Sequence, residues 1–267
     1  MKVKILLVMI CSSMLLFTAC NKDEGVNFFS LQQDKDFGKQ MSDEIAANPT
    51  EYPILNATQY PAVYAKIASI RDKILASGEL NHKDDFTWEI KIINKPVLNA
   101  FATPGGYIYV YTGLMKYLDN EAQLAGVLGH EMAHADLRHS TKQLTKQYGF
   151  SILLSALLGN SPGKVAEIAA GLAQGLSGLA FSREDEYKAD EYSVKYLLKT
   201  DYDPKGVQGF FQKMINDNGS SGTPAFLSTH PADKDRIDNI TKIWQDNGSK
   251  TGQTYASEYA TFKTTLP

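Results

Sequence analysis

The chain has 267 residues, 43% hydrophobic and 21% charged, with 27 Lys and Arg against 30 Asp and Glu. That length supports one sizeable core and is marginal for two. The net charge of −3 excludes a basic nucleic-acid binder, and the ordinary composition excludes a disordered or collagen-like chain.

Lys2 and Lys4 precede two short apolar runs, Ile5 to Ile10 and Met14 to Phe17. This stretch is shorter than the roughly 20 residues of a membrane-spanning helix. Its basic head and terminal position read as a signal peptide over residues 1–19. Phe17-Thr18-Ala19-Cys20 is similar to a bacterial lipobox, with Phe17 where Leu is usual. Cleavage there leaves a lipidated Cys20, and several acyl chains anchor a protein stably where one does not. The first of the two cysteines, Cys11, falls in the removed segment, so no disulfide is expected. The expectation is a chain held by lipid to the bacterial cell envelope, at the periplasmic face of the outer membrane or the cell surface. Residues 20–30 form the tether, in which Asn21-Lys22-Asp23-Glu24 reads as a polar linker or a surface-export signal.

Residues 31–250 are expected to form one α+β domain, predominantly helical, followed by a polar tail over 251–267. Leu31 to Ala47 has helical spacing and stops before Pro49. In Ala62 to Leu75, Val63, Ile67, Ile70 and Ile74 share one helix face. Phe86 to Ile93 alternates and reads as a strand, with further strands at Val97 to Ala102 and Tyr107 to Tyr111 around Pro104-Gly105-Gly106. Helices follow at Glu121 to Arg138, Phe150 to Leu158, Val165 to Leu179, Ser182 to Leu198, Gly206 to Ile215 and Ala232 to Trp244, with a loop at Asn218 to Pro224.

The chemistry concentrates in His130-Glu131-Met132-Ala133-His134. On a helix, positions i and i+4 share a face, so both imidazoles can reach one Zn2+ ion, and Glu131 can reach a water beside it as general base. A catalytic zinc needs a third protein ligand and an open position. The pattern with a third histidine six residues on is excluded, because residue 137 is Leu and residue 140 is Ser. A later acidic helix can supply a carboxylate instead. There Glu186 and Asp190 are spaced i, i+4, so that one could bind zinc while Asp190 accepts a hydrogen bond from a ligand imidazole. Glu184 and Glu191 are rivals on spacing alone. His139 reads as a cap on the last carbonyls of its helix, and His82 as an inert loop residue.

Four blocks carry a family resemblance: Asn99-Ala100-Phe101-Ala102 with Pro104-Gly105-Gly106; Gly129 to His134; Ser182-Arg183 with Glu186, Ala189 and Asp190; and Ser228-Thr229-His230-Pro231 with Arg236-Ile237. Over about residues 35 to 245 the chain resembles the gluzincin zinc metallopeptidases of the HtpX, BepA, OMA-type and CAAX prenyl endopeptidase group. The resemblance implies a zincin-like domain with a small β-sheet beside the H-E-x-x-H helix, one zinc per chain, and Glu186 as third ligand. Unlike HtpX and the prenyl peptidase, the chain is expected to have no transmembrane pair, and unlike BepA no C-terminal repeat domain is expected.

His230 is the candidate oxyanion donor, or a fourth zinc ligand that keeps the site latent. Arg236 would position neighbouring carboxylates or the His230 loop. The segment Gly105, Gly106, Tyr107, Ile108, Tyr109 reads as an exposed strand that could pair with an extended protein or peptide substrate. The resulting expectation is an endopeptidase for unfolded or misassembled envelope proteins. The alternative is a zinc-bound binding or chaperone-like lipoprotein with latent or no peptidase activity.

Overall fold

Ser30 opens the domain with a reciprocal cap. Its hydroxyl accepts the Gln33 amide at 3.2 Å, and the Gln33 side chain accepts the Ser30 amide at 2.8 Å, satisfying donors that a helix start leaves free. The helix so started is α1 (Leu31–Ala47). This computed structural model describes residues 27–174, 180–217, 224–231 and 234–267. The signal segment, Cys20, the first part of the tether and the 218–223 loop lie outside the described residues, as do 175–179 and 232–233.

Helix α2 (Pro61–Leu75) starts on a proline and buries Val63, Ile67, Ile70 and Ile74. Three strands follow: β1 (Glu89–Ile93), β2 (Ala100–Thr103) and β3 (Tyr107–Tyr111). Their order is β1-β3-β2, with β3 parallel to β1 and antiparallel to β2. The remaining helices are α3 (Thr112–Tyr117), α4 (Glu121–Asp136), α5 (His139–Tyr148), α6 (Phe150–Leu157), α7 (Pro162–Gln174), α8 (Arg183–Leu198), α9 (Gly206–Asn216), α10 (Ala225–Thr229), α11 (Lys234–Asp246) and α12 (Ala256–Lys263). Among the described residues no helix is long and apolar enough to cross a membrane.

The sheet divides the core in two. Ile108 and Val110 of β3 join Ile90, Ile92, Ala100 and Ala102 in a cluster with α2, α4, α8 and α9. Tyr107, Tyr109 and Tyr111 face the other way, with Phe101, against α1, α6 and α7. Covered on both faces, β3 therefore reads as an unbroken apolar run.

That placement corrects the expected substrate strand. Both edges of β3 are taken by its neighbours, so Tyr107, Ile108 and Tyr109 have no free backbone edge to offer. Gly105 and Gly106 do adopt left-handed backbone, at φ 75 and 86, but the close approach they permit is used internally. A Cβ on Gly105 would sit 2.9 Å from Lys35 Cα, and one on Gly106 3.0 Å from the Trp88 amide. Strand β1 also starts later than the alternation predicts. Trp88 is itself left-handed, at φ 49, and its indole donates to the Lys83 carbonyl at 2.9 Å. Helix α4 ends two residues before Arg138, which is left-handed at φ 59 and reverses the chain. The expected polar tail instead forms α12, which buries Tyr259 and Phe262, with Leu266 beyond it. The Tyr259 hydroxyl donates to the Met115 carbonyl at 2.7 Å.

Helices α4 and α9 meet backbone to backbone. A Cβ on Gly126 would lie 2.1 Å from the Val207 amide nitrogen, so neither helix can yield locally. Gly126→Ala should destabilise the domain by about 1–3 kcal/mol or more, read as a lowered thermal unfolding midpoint. Gly163→Ala, where a Cβ meets nothing within 4 Å, should leave the midpoint unchanged or slightly raised.

Candidate metal centre

All sixteen residues of α4 are buried, so each polar side chain on it must be satisfied or serve a purpose. The Asn120 side chain caps its start by accepting the Gln123 amide at 2.9 Å. Asp136 is satisfied: its carboxylate accepts the backbone amides of Asn81 at 2.9 Å and His82 at 2.7 Å. His130 and His134 point from one face, their Nε2 atoms 3.0 Å apart.

Helix α8 crosses α4 at close range because Gly129 leaves room for Ser193, whose hydroxyl donates to the Gly126 carbonyl at 2.8 Å. This brings Glu186 against the histidines, with Oε2 3.4 Å from His130 Nε2 and Oε1 3.3 Å from His134 Nε2. From the turn after α10, His230 Nδ1 reaches within 2.9 Å of Glu186 Oε1 and 3.3 Å of His130 Nε2. One ligand atom from each of these four residues lies within 4.8 Å of the others. Ligands about 2.0–2.1 Å from a tetrahedral ion are about 3.3–3.4 Å apart, so the spacing and the N/O donor set fit zinc. Glu184 and Glu191 are not in this cluster.

Asp190, one turn beyond Glu186, lies 3.0 Å from His130 Nδ1, the nitrogen directed away from the cluster. Arg236 of α11 holds both carboxylates. Its Nε and NH2 donate to Asp190 at 2.8 and 2.7 Å, its NH1 lies 2.6 Å from Glu186 Oε2, and NH1 also donates to the Pro231 carbonyl at 2.8 Å. The guanidinium thus fixes α8 and the segment after His230 together, while stacking over the Phe211 ring at 4.1 Å.

The charges of the site follow from these contacts. Burial alone would raise Glu186, but Arg236, His230 and the two helix imidazoles hold its carboxyl well below the usual range. Burial pushes His134 well below the usual imidazole value. For His130 burial is outweighed by hydrogen bonding to Asp190 and Glu186, and its value rises to about 9. Glu131 is raised by burial, and neither of its carboxylate oxygens has a hydrogen-bond partner among the described residues. His230 Nε2 lies 3.6 Å from its Oε1.

His139 departs from the capping role its position implies. The left-handed turn at Arg138 folds it back under α4, where its Nδ1 lies 3.0 Å from His134 Nδ1. Phe181, which drew no attention as a sequence position, stacks on the His134 ring at 3.9 Å and 20°. Neither contact has a periodicity that would reveal it.

Removing the guanidinium would strand two buried carboxylates. Arg236→Leu should destabilise the metal-free chain by about 3–5 kcal/mol in chemical denaturation, and added zinc should recover part of that loss.

A family model described as peptidase family M48 matches residues 61–244. The chain is 34% identical over 161 residues to the mitochondrial metalloendopeptidase OMA1 of Arabidopsis thaliana, covering 60% of this chain and 32% of that protein. It is 31% identical over 209 residues to the OMA1 of Schizosaccharomyces pombe, covering 77% and 60%. With the beta-barrel assembly-enhancing protease of Escherichia coli (strain K12) it shares 30% identity over 158 residues, covering 55% and 32%. The matched segments thus span between 32% and 60% of those relatives' own lengths. With the family match running from α2 into α11, across the whole His130–His134–Glu186 cluster, the chain belongs to peptidase family M48.

Proposed function

We propose that this chain is a zinc-dependent endopeptidase acting on unfolded or misassembled proteins of the bacterial cell envelope. The observation that carries this reading is a fully buried Glu131 carboxylate that accepts no hydrogen bond from the described residues, beside two imidazoles and a carboxylate at tetrahedral spacing. A purely structural metal site has no use for such a group. In this reading His130, His134 and Glu186 hold one Zn2+ per chain. Zinc, when bound, supplies Lewis acidity toward water and the scissile carbonyl. Glu131 takes the proton of the attacking water and returns it to the leaving amine. Asp190 keeps His130 in the tautomer that leaves Nε2 free for the metal, and Arg236 keeps Glu186 ionised and holds both carboxylates in register.

Of the two roles open to His230, its position favours the fourth-ligand one. Its Nδ1 is at ligand spacing from His130 and Glu186, and its ring stacks on Phe226 at 4.5 Å. His230 then closes the site, and turnover requires it to withdraw. The burial of the whole cluster in this conformation supports a closed state.

In this reading an extended substrate pairs with the outer edge of β2, not β3, once the elements that bury Ala100 to Thr103 have moved aside. Strand β2 is the sheet's edge beside α4, although its Ala102 carbonyl already accepts from Ser140 at 3.1 Å. Attachment to the envelope is through lipid on Cys20, supported by the sequence before it and by a relative named for β-barrel assembly.

Cleavage of unfolded casein by the chain from residue 21 onward tests this reading. Glu131→Gln should retain zinc and lose about 10²–10⁴-fold in rate. His230→Ala should retain zinc and cleave faster than the wild type. Zinc retention with no cleavage by any of the three proteins would favour the chaperone-like alternative. Chelation should abolish cleavage and lower the unfolding temperature, both restored by zinc.

A further inference from the structure

The two histidines of α4 are held from behind in different ways. His130 Nδ1 faces a carboxylate directly, Asp190, at 3.0 Å. Among the described residues His134 Nδ1 faces no carboxylate and instead meets His139 Nδ1 at 3.0 Å. The far nitrogen of His139, Nε2, lies 3.4 Å from Asp185 Oδ1.

We propose that His139 is a positioning residue for His134, bridging it to Asp185 so that both metal-binding histidines are oriented by carboxylates of α8. The hydrogen-bond logic admits one direction. A His134 that offers Nε2 to a metal carries its proton on Nδ1 and donates it to His139 Nδ1. His139 then carries its own proton on Nε2, facing Asp185. The chain of donors ends on a carboxylate, which strengthens His134 as a ligand and fixes its ring.

The surroundings hold this arrangement still. His139 is 1% exposed. Arg138, just before it, is tied by its guanidinium to Asp34 and to the Phe29 carbonyl. Asp34 also accepts from Thr141 at 2.8 Å. Asp185 accepts the Ser182 hydroxyl at 2.7 Å while its amide donates to the same oxygen at 3.1 Å, so the carboxylate is part of the α8 cap. Phe181 covers the face of the His134 ring. Asp185, Glu186 and Asp190 thus act from one helix on the two imidazoles.

This inference rests on the cluster holding a metal and not on peptidase activity, so zinc affinity is the readout. Affinity is measured by competition with a chromophoric chelator in full-length chains carrying Glu131→Gln, with folding checked by circular dichroism. The Co2+ absorption bands give a second view of ligand geometry. His139→Phe should weaken zinc binding about 10–100-fold and alter the Co2+ spectrum. His139→Asn, whose amide oxygen can accept near the Nδ1 position, should restore most of the affinity. Asp185→Ala should weaken binding in the parent but have no further effect in the His139→Asn background, because that side chain has no atom at the Nε2 position. If His139→Phe binds zinc within about twofold of the parent, or if Asp185→Ala has the same effect in both backgrounds, the bridge is overturned. The Asp185 comparison decides the matter even if the Phe variant fails to fold. A parent chain that binds no zinc overturns the metal reading and the bridge together.

Discussion

Buried negative charge is the constraint on which this molecule is organised. Glu131, Glu186 and Asp190 lie in one pocket at no more than 1% exposure, where unpaired carboxylates are costly. Arg236 answers two of them at once, reaching across from α11 to α8. What it leaves over is visible in His130, which the carboxylates push up to about 9. A pocket that draws a proton onto an imidazole at neutral pH is also one that draws a divalent cation, and the cation completes the balance with the imidazole neutral.

The helix packing serves that balance. Gly126 and Gly129 remove side chains where α9 and α8 cross α4, and the backbones approach closely enough for Glu186 to meet His130 and His134. Because α4 is enclosed all round, its polar residues sort themselves. Asp136 is fully engaged in pinning the Asn81–His82 turn, His134 and His130 are engaged with one another and with α8, and Glu131 alone is left without a hydrogen bond among the described residues. Structural polarity and chemical polarity are thereby separated along one helix.

Much of this was legible in the sequence. The i, i+4 spacing of His130 and His134 places them on one helix face whatever the fold, and apolar periodicity sets α1, α2 and α8 to within a residue or so. The spacing of Glu186 and Asp190 left rivals that the packing of α8 against α4 removes. Other features are set by tertiary contacts. Tyr107 to Tyr111 reads equally as an edge or a central strand, because a β-prone run does not reveal which side is paired. His139 looks like a cap until Arg138 takes the left-handed turn that folds it under α4. Tyr259, Phe262 and Leu266 are too few among polar neighbours to announce a helix, yet they complete the core beside Met115.

The site is assembled from the far reaches of the chain. His130 and His230 are separated by 100 positions, Asp190 and Arg236 by 46, and Arg138 and Asp34 by 104. Contacts so distant form late, since loop closure precedes the reward for closing it. Until α11 has delivered Arg236, Glu186 and Asp190 repel one another and their ligand geometry is unsupported. A half-folded copy of this chain therefore carries the zinc motif without a competent centre. Chemical competence arrives only with the native state, so a partly folded copy of this chain holds its motif inert.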